Sequence, residues 1–134
     1  MNRPCEVVVI SADLENRHTI AETLARLEVD SICISTVGQY REVAENEIKL
    51  VFCDVHLPDG DYRDVVAATG SAKKAPNVVI MAKQLNSDNY HQAKLSGIFE
   101  AIPTPCRPTD IEWMVILAKK QHRSQALAGL QSAR

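Results

Sequence analysis

The chain has 134 residues, 46% of them hydrophobic and 24% charged, with a net charge of −2. That length suits one domain and leaves too little chain for two, and the near-neutral charge argues against a nucleic-acid partner. No apolar run is long enough to span a membrane, and Val7-Val8-Val9-Ile10 is too short for the apolar segment of a signal peptide, so a cytoplasmic location is expected.

Glu6 to Ser11 carries four consecutive aliphatics, the pattern of a strand buried on both faces. Asp13 is placed to cap a helix in which Ile20, Leu24 and Leu27 recur at helical spacing. Ser31 to Ser35 reads as a second strand, and Gly38 to Glu47 as a short helix with Tyr40, Val43 and Ala44 on one side. Leu50 to Asp54 is a third strand, an apolar run ending abruptly in a carboxylate. A loop, Val55 to Gly60, leads to a helix from Asp61 to Thr69 with Tyr62, Val65 and Val66 inward. Gly70 to Pro76 is a polar connection. Val78 to Met81 is the fourth strand. Ser87 to Ser96 is a weaker helix with Tyr90, Ala93 and Leu95 as inward candidates, stopped by Gly97. Phe99 to Ile102 is a fifth strand.

The last helix is signalled by Thr109-Asp110-Ile111-Glu112, which fits a capping box. Ile111, Met114, Val115 and Ala118 form one buried stripe, and Trp113, Ile116 and Leu117 fall off it. Those three are candidates for an interface with a second copy or another domain, and Trp113 has the alternative of folding back onto Pro108. The pattern divides residues 1–123 as one domain from residues 124–134 as a tail or linker stub. Cys5, Cys33, Cys53 and Cys106 form no CxxC pair and read as reduced thiols.

Strands alternating with helices predict an α/β fold: a parallel five-stranded sheet covered on both faces, flavodoxin-like, in the order 2-1-3-4-5. Ligands and chemistry belong at the carboxyl ends of the first and third strands in such a sheet. Those ends are Ser11-Ala12-Asp13 and Asp54.

With Asp54-Val55-His56-Leu57-Pro58-Asp59-Gly60 in place, residues Glu6 to Gln121 resemble the receiver domain of two-component response regulators. The resemblance implies that Asp54 is the phosphoacceptor. It also implies Mg²⁺ held by two adjacent acids after the first strand, a Thr or Ser ending the fourth, a switch aromatic on the fifth and a Lys beyond it. Here those positions are Ser11, Ala12, Ala82, Ala101 and Thr104. The expectation is an atypical, or pseudo-, receiver that acts in phosphorelay signalling by protein–protein interaction, with a histidine kinase or an output protein as partner. It is not expected to be an enzyme.

Three residues near Asp54 keep two readings each. Asp13 is a displaced metal ligand or a helix cap, so that any weakened Mg²⁺ site would use Asp13 and Asp54. Lys83 pairs with Asp54 in place of the missing Lys, or is a solvated loop lysine. His56 contacts a phosphoryl group and lends a pH response, or is a surface side chain. Cys53 should point away from the Asp54 side chain. Two alternatives stand beside the main reading. One is conventional phosphorylation of Asp54 with the displaced metal site. The other is a small flavodoxin-like cofactor-binding enzyme, against which the turn after the first strand has no glycine to cradle a phosphate.

Overall fold

A computed structural model of the chain describes residues 6–44, 47–70 and 75–132, with side chains to residue 121 in the last helix. Cys5, parts of the Gly38–Glu47 and Gly70–Pro76 segments, and the last two residues lie outside the described residues. Strand β1 is Val7–Ile10, β2 Ser31–Ile34, β3 Leu50–Asp54, β4 Asn77–Ala82 and β5 Glu100–Pro103. Helix α1 is Leu14–Arg26, α2 Val37–Val43, α3 Tyr62–Thr69, α4 Ser87–Ser96 and α5 Pro108–Ser132. The strands form one sheet in the order β2-β1-β3-β4-β5, parallel throughout. A two-residue antiparallel ribbon, His56–Leu57 with Gly60–Asp61, shapes the loop after β3.

Side chains alternate across the sheet, so each central strand feeds two cores. Val7, Val9, Phe52, Val79 and Met81 face α1 and α5, where they meet Ile20, Leu24, Ile111 and Met114. Val8, Ile10, Val51, Cys53 and Ile80 face the other way, toward Val37, Tyr40, Val65 and Ala93. The aliphatic run of β1 is thus buried on both faces, as its unbroken pattern requires.

Four local expectations are corrected. The second helix starts at Val37, not Gly38, because the Thr36 hydroxyl caps it through the amide of Gln39, and it is finished by Val43, well short of Glu47. Leu95 is 75% exposed. It sits two residues from the buried Ala93, about 200° around the helix and so on the opposite face. Polar ties hold α4 instead: the Tyr90 hydroxyl donates to Glu100 Oε1 at 2.6 Å, and the Lys94 ammonium to the Phe99 carbonyl at 2.7 Å. The capping box expected at Thr109 gives way to a start at Pro108, a residue suited to the first helical position because it has no N–H to leave unpaired. Asp110 there takes the Arg107 guanidinium at 3.2 Å. Finally, Leu117 packs partly against the core, while Trp113 and Ile116 remain 53% and 39% exposed.

The α5 stripe of Ile111, Met114, Val115 and Ala118 is buried as its spacing implied, and the backbone continues helically past Ser124 to Ser132. Gly97 ends α4 in the left-handed region, φ 107°. A Cβ there would also come within 3.3 Å of Val66 Cγ1. Gly97→Ala should therefore lower unfolding free energy by more than about 1 kcal/mol, read from the urea midpoint at unchanged slope.

Candidate functional site

Register brings the site together. Ile10 lies opposite Cys53 in the β1–β3 pairing, so the residues that follow each, Ser11 and Asp54, emerge side by side. Asp54 is half-buried and Ser11 is wholly so. The Ser11 hydroxyl donates to Asp54 Oδ2 at 2.9 Å, and the Ala12 amide donates to the same oxygen at 3.2 Å. Ser11 Oγ in turn accepts the Asp13 amide at 3.1 Å.

Asp13 is the N-cap of α1: its Oδ1 accepts the amides of Glu15 and Asn16 at 3.0 and 3.2 Å. That is the capping geometry expected of an Asp immediately before a helix. Burial raises the Asp54 carboxyl above its ordinary value. The Ser11 and Ala12 hydrogen bonds oppose that rise, and the nearby Asp13 charge adds to it.

An open cleft of about 600 Å³ lies beside Asp54. Asp13, His56, Ala82, Lys83 and Thr104 line it with Asp54, whereas Ser11 and Ala12 do not line it and instead meet Asp54 through hydrogen bonds. Lys83 makes no ion pair with Asp54 within 4.0 Å; the partners of Asp54 are Ser11 and Ala12. The cleft's other cation, Arg63, is held by Asp61, at 2.9 Å from Nη2. His56 is exposed on the ribbon. Thr104 precedes a cis peptide bond to Pro105, and its amide donates to the Ala82 carbonyl at 3.1 Å. Ala101 packs against the core beneath α4.

Two residues have roles that the sequence reading missed. Asn16, 5% exposed, donates to Met81 Sδ at 3.3 Å and accepts the Cys106 amide at 3.3 Å, tying α1 to β4 and to the loop that carries Thr104. Its position four residues before Ile20, on the buried stripe of α1, was the available signal. Asp59, in the Val55–Gly60 loop, accepts the amides of Val37 and Gly38 at 2.8 and 3.0 Å and pins the loop after β3 to the start of α2. These bonds hold its carboxyl below the ordinary value.

Cys53 points into the core opposite the Asp54 side chain and its thiol is pushed far up by burial. Burial also pushes the Cys106 thiol up to about 12 and raises that of Cys33. All three are free thiols, and none is poised as a nucleophile.

The donor set does not fit a divalent ion held by paired acids. Ser11 and Ala12 supply hydrogen-bond donors where acids would stand, and Asp13 is engaged as a cap. Among the described residues no three His, Cys, Asp or Glu side chains are grouped as a metal site requires.

No protein-family model and no curated protein sequence matches the chain. Solved structures do. The signal receiver domain assigned to a LuxO repressor protein of Vibrio parahaemolyticus is 18% identical, with a TM-score of 0.79 over 95% of this chain and 98% of that one. The signal receiver domain of an HD domain-containing protein from Pseudomonas fluorescens Pf-5 is 16% identical, TM-score 0.79, over 94% of each chain. A CheY-like response regulator receiver domain from Methanospirillum hungatei JF-1 is 17% identical, TM-score 0.77, over 91% and 99%. The chain therefore has the fold of response-regulator receiver domains.

Two measurements probe the site. Ser11→Ala removes a charge-assisted bond, worth about 1.5–3 kcal/mol; the Asp54 carboxyl should titrate at higher pH than in the parent, read from its ¹³C shift. The second uses the pH dependence of stability. A carboxyl raised by folding binds its proton more tightly folded than unfolded, so between 3.8 and its raised value stability falls as pH rises. Asp54→Asn should thus be more stable than the parent at neutral pH, with the advantage shrinking as pH falls toward 3.8. Equal stability of the two proteins at every pH would contradict this.

Proposed function

We propose that the chain is an atypical receiver domain of two-component signalling that works by binding protein partners and independently of phosphorylation, with Asp54 a retained carboxylate. The observation that carries this is the environment of Asp54. It stands at the end of β3 in a receiver fold, yet its neighbours are a hydroxyl and an amide. Transfer of a phosphoryl group to a carboxylate depends on neutralising charge on the group's equatorial oxygens. Ala12 and Ala82 bring no charge to the cleft, and Lys83 is not drawn to Asp54. Ala82 has no hydroxyl, and Ala101 has no ring to follow one.

The domain is a signalling module rather than an enzyme, and its partners are a histidine kinase, an output protein or domain, or a second copy. The exposed Trp113 and Ile116 on α5 suit such contacts, and the partly covered Leu117 borders them. Residues 1–123 are the receiver-like unit and residues 124–134 a tail or linker stub, the α5 backbone running on as far as Ser132. A cytoplasmic setting agrees with the finding that, among the described residues, no helix is long and apolar enough to cross a membrane.

Conventional phosphorylation with Asp13 as a displaced ligand would have to draw on Oδ2 alone, because Oδ1 caps α1. A phosphate-bearing cofactor at the same helix start would compete with the Asp13 carboxylate, which already takes its free amides. Incubation with a small phosphodonor and Mg²⁺ followed by intact-mass measurement is the test. The expected result is unchanged mass. A stoichiometric phosphate adduct that Asp54→Asn abolishes would overturn the reading.

A further inference from the structure

The strand ends around Asp54 present neutral donors on the side where a cation site needs carboxylates. We propose that Asp54 is a metal-independent carboxylate, its charge met by the Ser11 hydroxyl and the Ala12 amide, and that one added carboxylate at either position turns these strand ends into a divalent-cation site. This rests on the receiver-like reading above and concerns how the same site is controlled.

The hydroxyl has two acceptors in reach, Asp54 Oδ2 at 2.9 Å and the Asp13 carbonyl at 3.5 Å, and the shorter contact is to Asp54. Ser11 is fully buried, and its oxygen accepts the Asp13 amide at 3.1 Å while its proton lies toward Asp54 Oδ2 at 2.9 Å. The Ala12 donor is backbone, so its direction is set by the chain. A divalent ion seeking Oδ2 meets two N–H or O–H dipoles with their positive ends forward. Mg²⁺ is demanding here, because it requires near-octahedral oxygen ligands at short range and gives up its waters reluctantly.

Asp13 cannot serve as the second ligand through Oδ1, which holds the amides of Glu15 and Asn16. Both donors take Asp54 Oδ2 and the cap takes Asp13 Oδ1, and among the described residues no group of three ligating side chains stands here to complete a site, so the ion is short of ligands. Ser11→Asp replaces a donor with an acid. Ala12→Asp adds an acid at an exposed position. Either change supplies the missing charge beside Asp54.

The experiment compares amide spectra of the full chain with MgCl₂ against NaCl of equal ionic strength, and with Mn²⁺ as a paramagnetic probe. In the parent, signals of Ala12, Asp13 and Val55 should respond equally to the two salts and survive Mn²⁺. In Ala12→Asp, and in Ser11→Asp if that buried change folds, they should be lost saturably on Mn²⁺ addition. The further change Asp54→Asn should restore them.

A saturable Mg²⁺-specific shift in the parent overturns the proposal. So does a folded Ala12→Asp protein that is indifferent to Mn²⁺. A parent that binds Mg²⁺ but takes no phosphate refutes this inference and leaves the functional reading standing. A parent that takes phosphate on Asp54 with no metal present refutes the functional reading and supports this one.

Discussion

The hydrogen bond from Ser11 to Asp54 is the point at which the fold and the site meet. It exists because β1 and β3 pair in parallel with Ile10 opposite Cys53. A slip of one residue would send each strand's side chains to the opposite face of the sheet, and the two residues would no longer face each other. The same register puts Phe52 under α1 and α5, and Cys53 under the other helices. The core that excludes water from the strands is therefore also what half-buries the carboxylate and raises it. The donors from Ser11 and Ala12 keep that burial tolerable.

Around this contact the loops are tied by side chains rather than left to their own preferences. Asp13 closes the start of α1. Asp59 reaches back to the start of α2. Asp61 opens α3 with a reciprocal capping box shared with Asp64, and also holds Arg63. Asn16 fastens the loop beyond β5. Carboxylates that look in sequence like a cluster available for chemistry are largely employed as structural acceptors. This is why a cleft rich in acids still presents so few free ligands.

The receiver-like fold thus survives with a different electrostatic arrangement at its strand ends. A buried anion can be balanced by a cation or by oriented dipoles. Dipoles fixed by the backbone and by a buried hydroxyl need no diffusible partner. The α4–β5 face shows a parallel replacement, with polar ties from Tyr90 and Lys94 where α4 has little apolar surface to bury.

Much of the fold was legible in the residues alone. Unbroken aliphatic runs marked strands buried on both faces, and helical spacing marked α1 and the buried stripe of α5. The alternation of the two, with an acid closing the third run, was enough to place Asp54 at a strand end. Direct contacts between distant residues were not legible. The Asp13 cap is local, but whether Lys83 or Ser11 would reach Asp54, and what Asn16 and Asp59 bind, depend on atoms up to 90 positions apart in the chain. Leu117 shows the same limit on helices, since spacing ranks the faces but packing chooses which of two adjacent faces is covered. Periodicity is a local property of the sequence. The partner of a polar group is decided by the register and closure of the whole sheet.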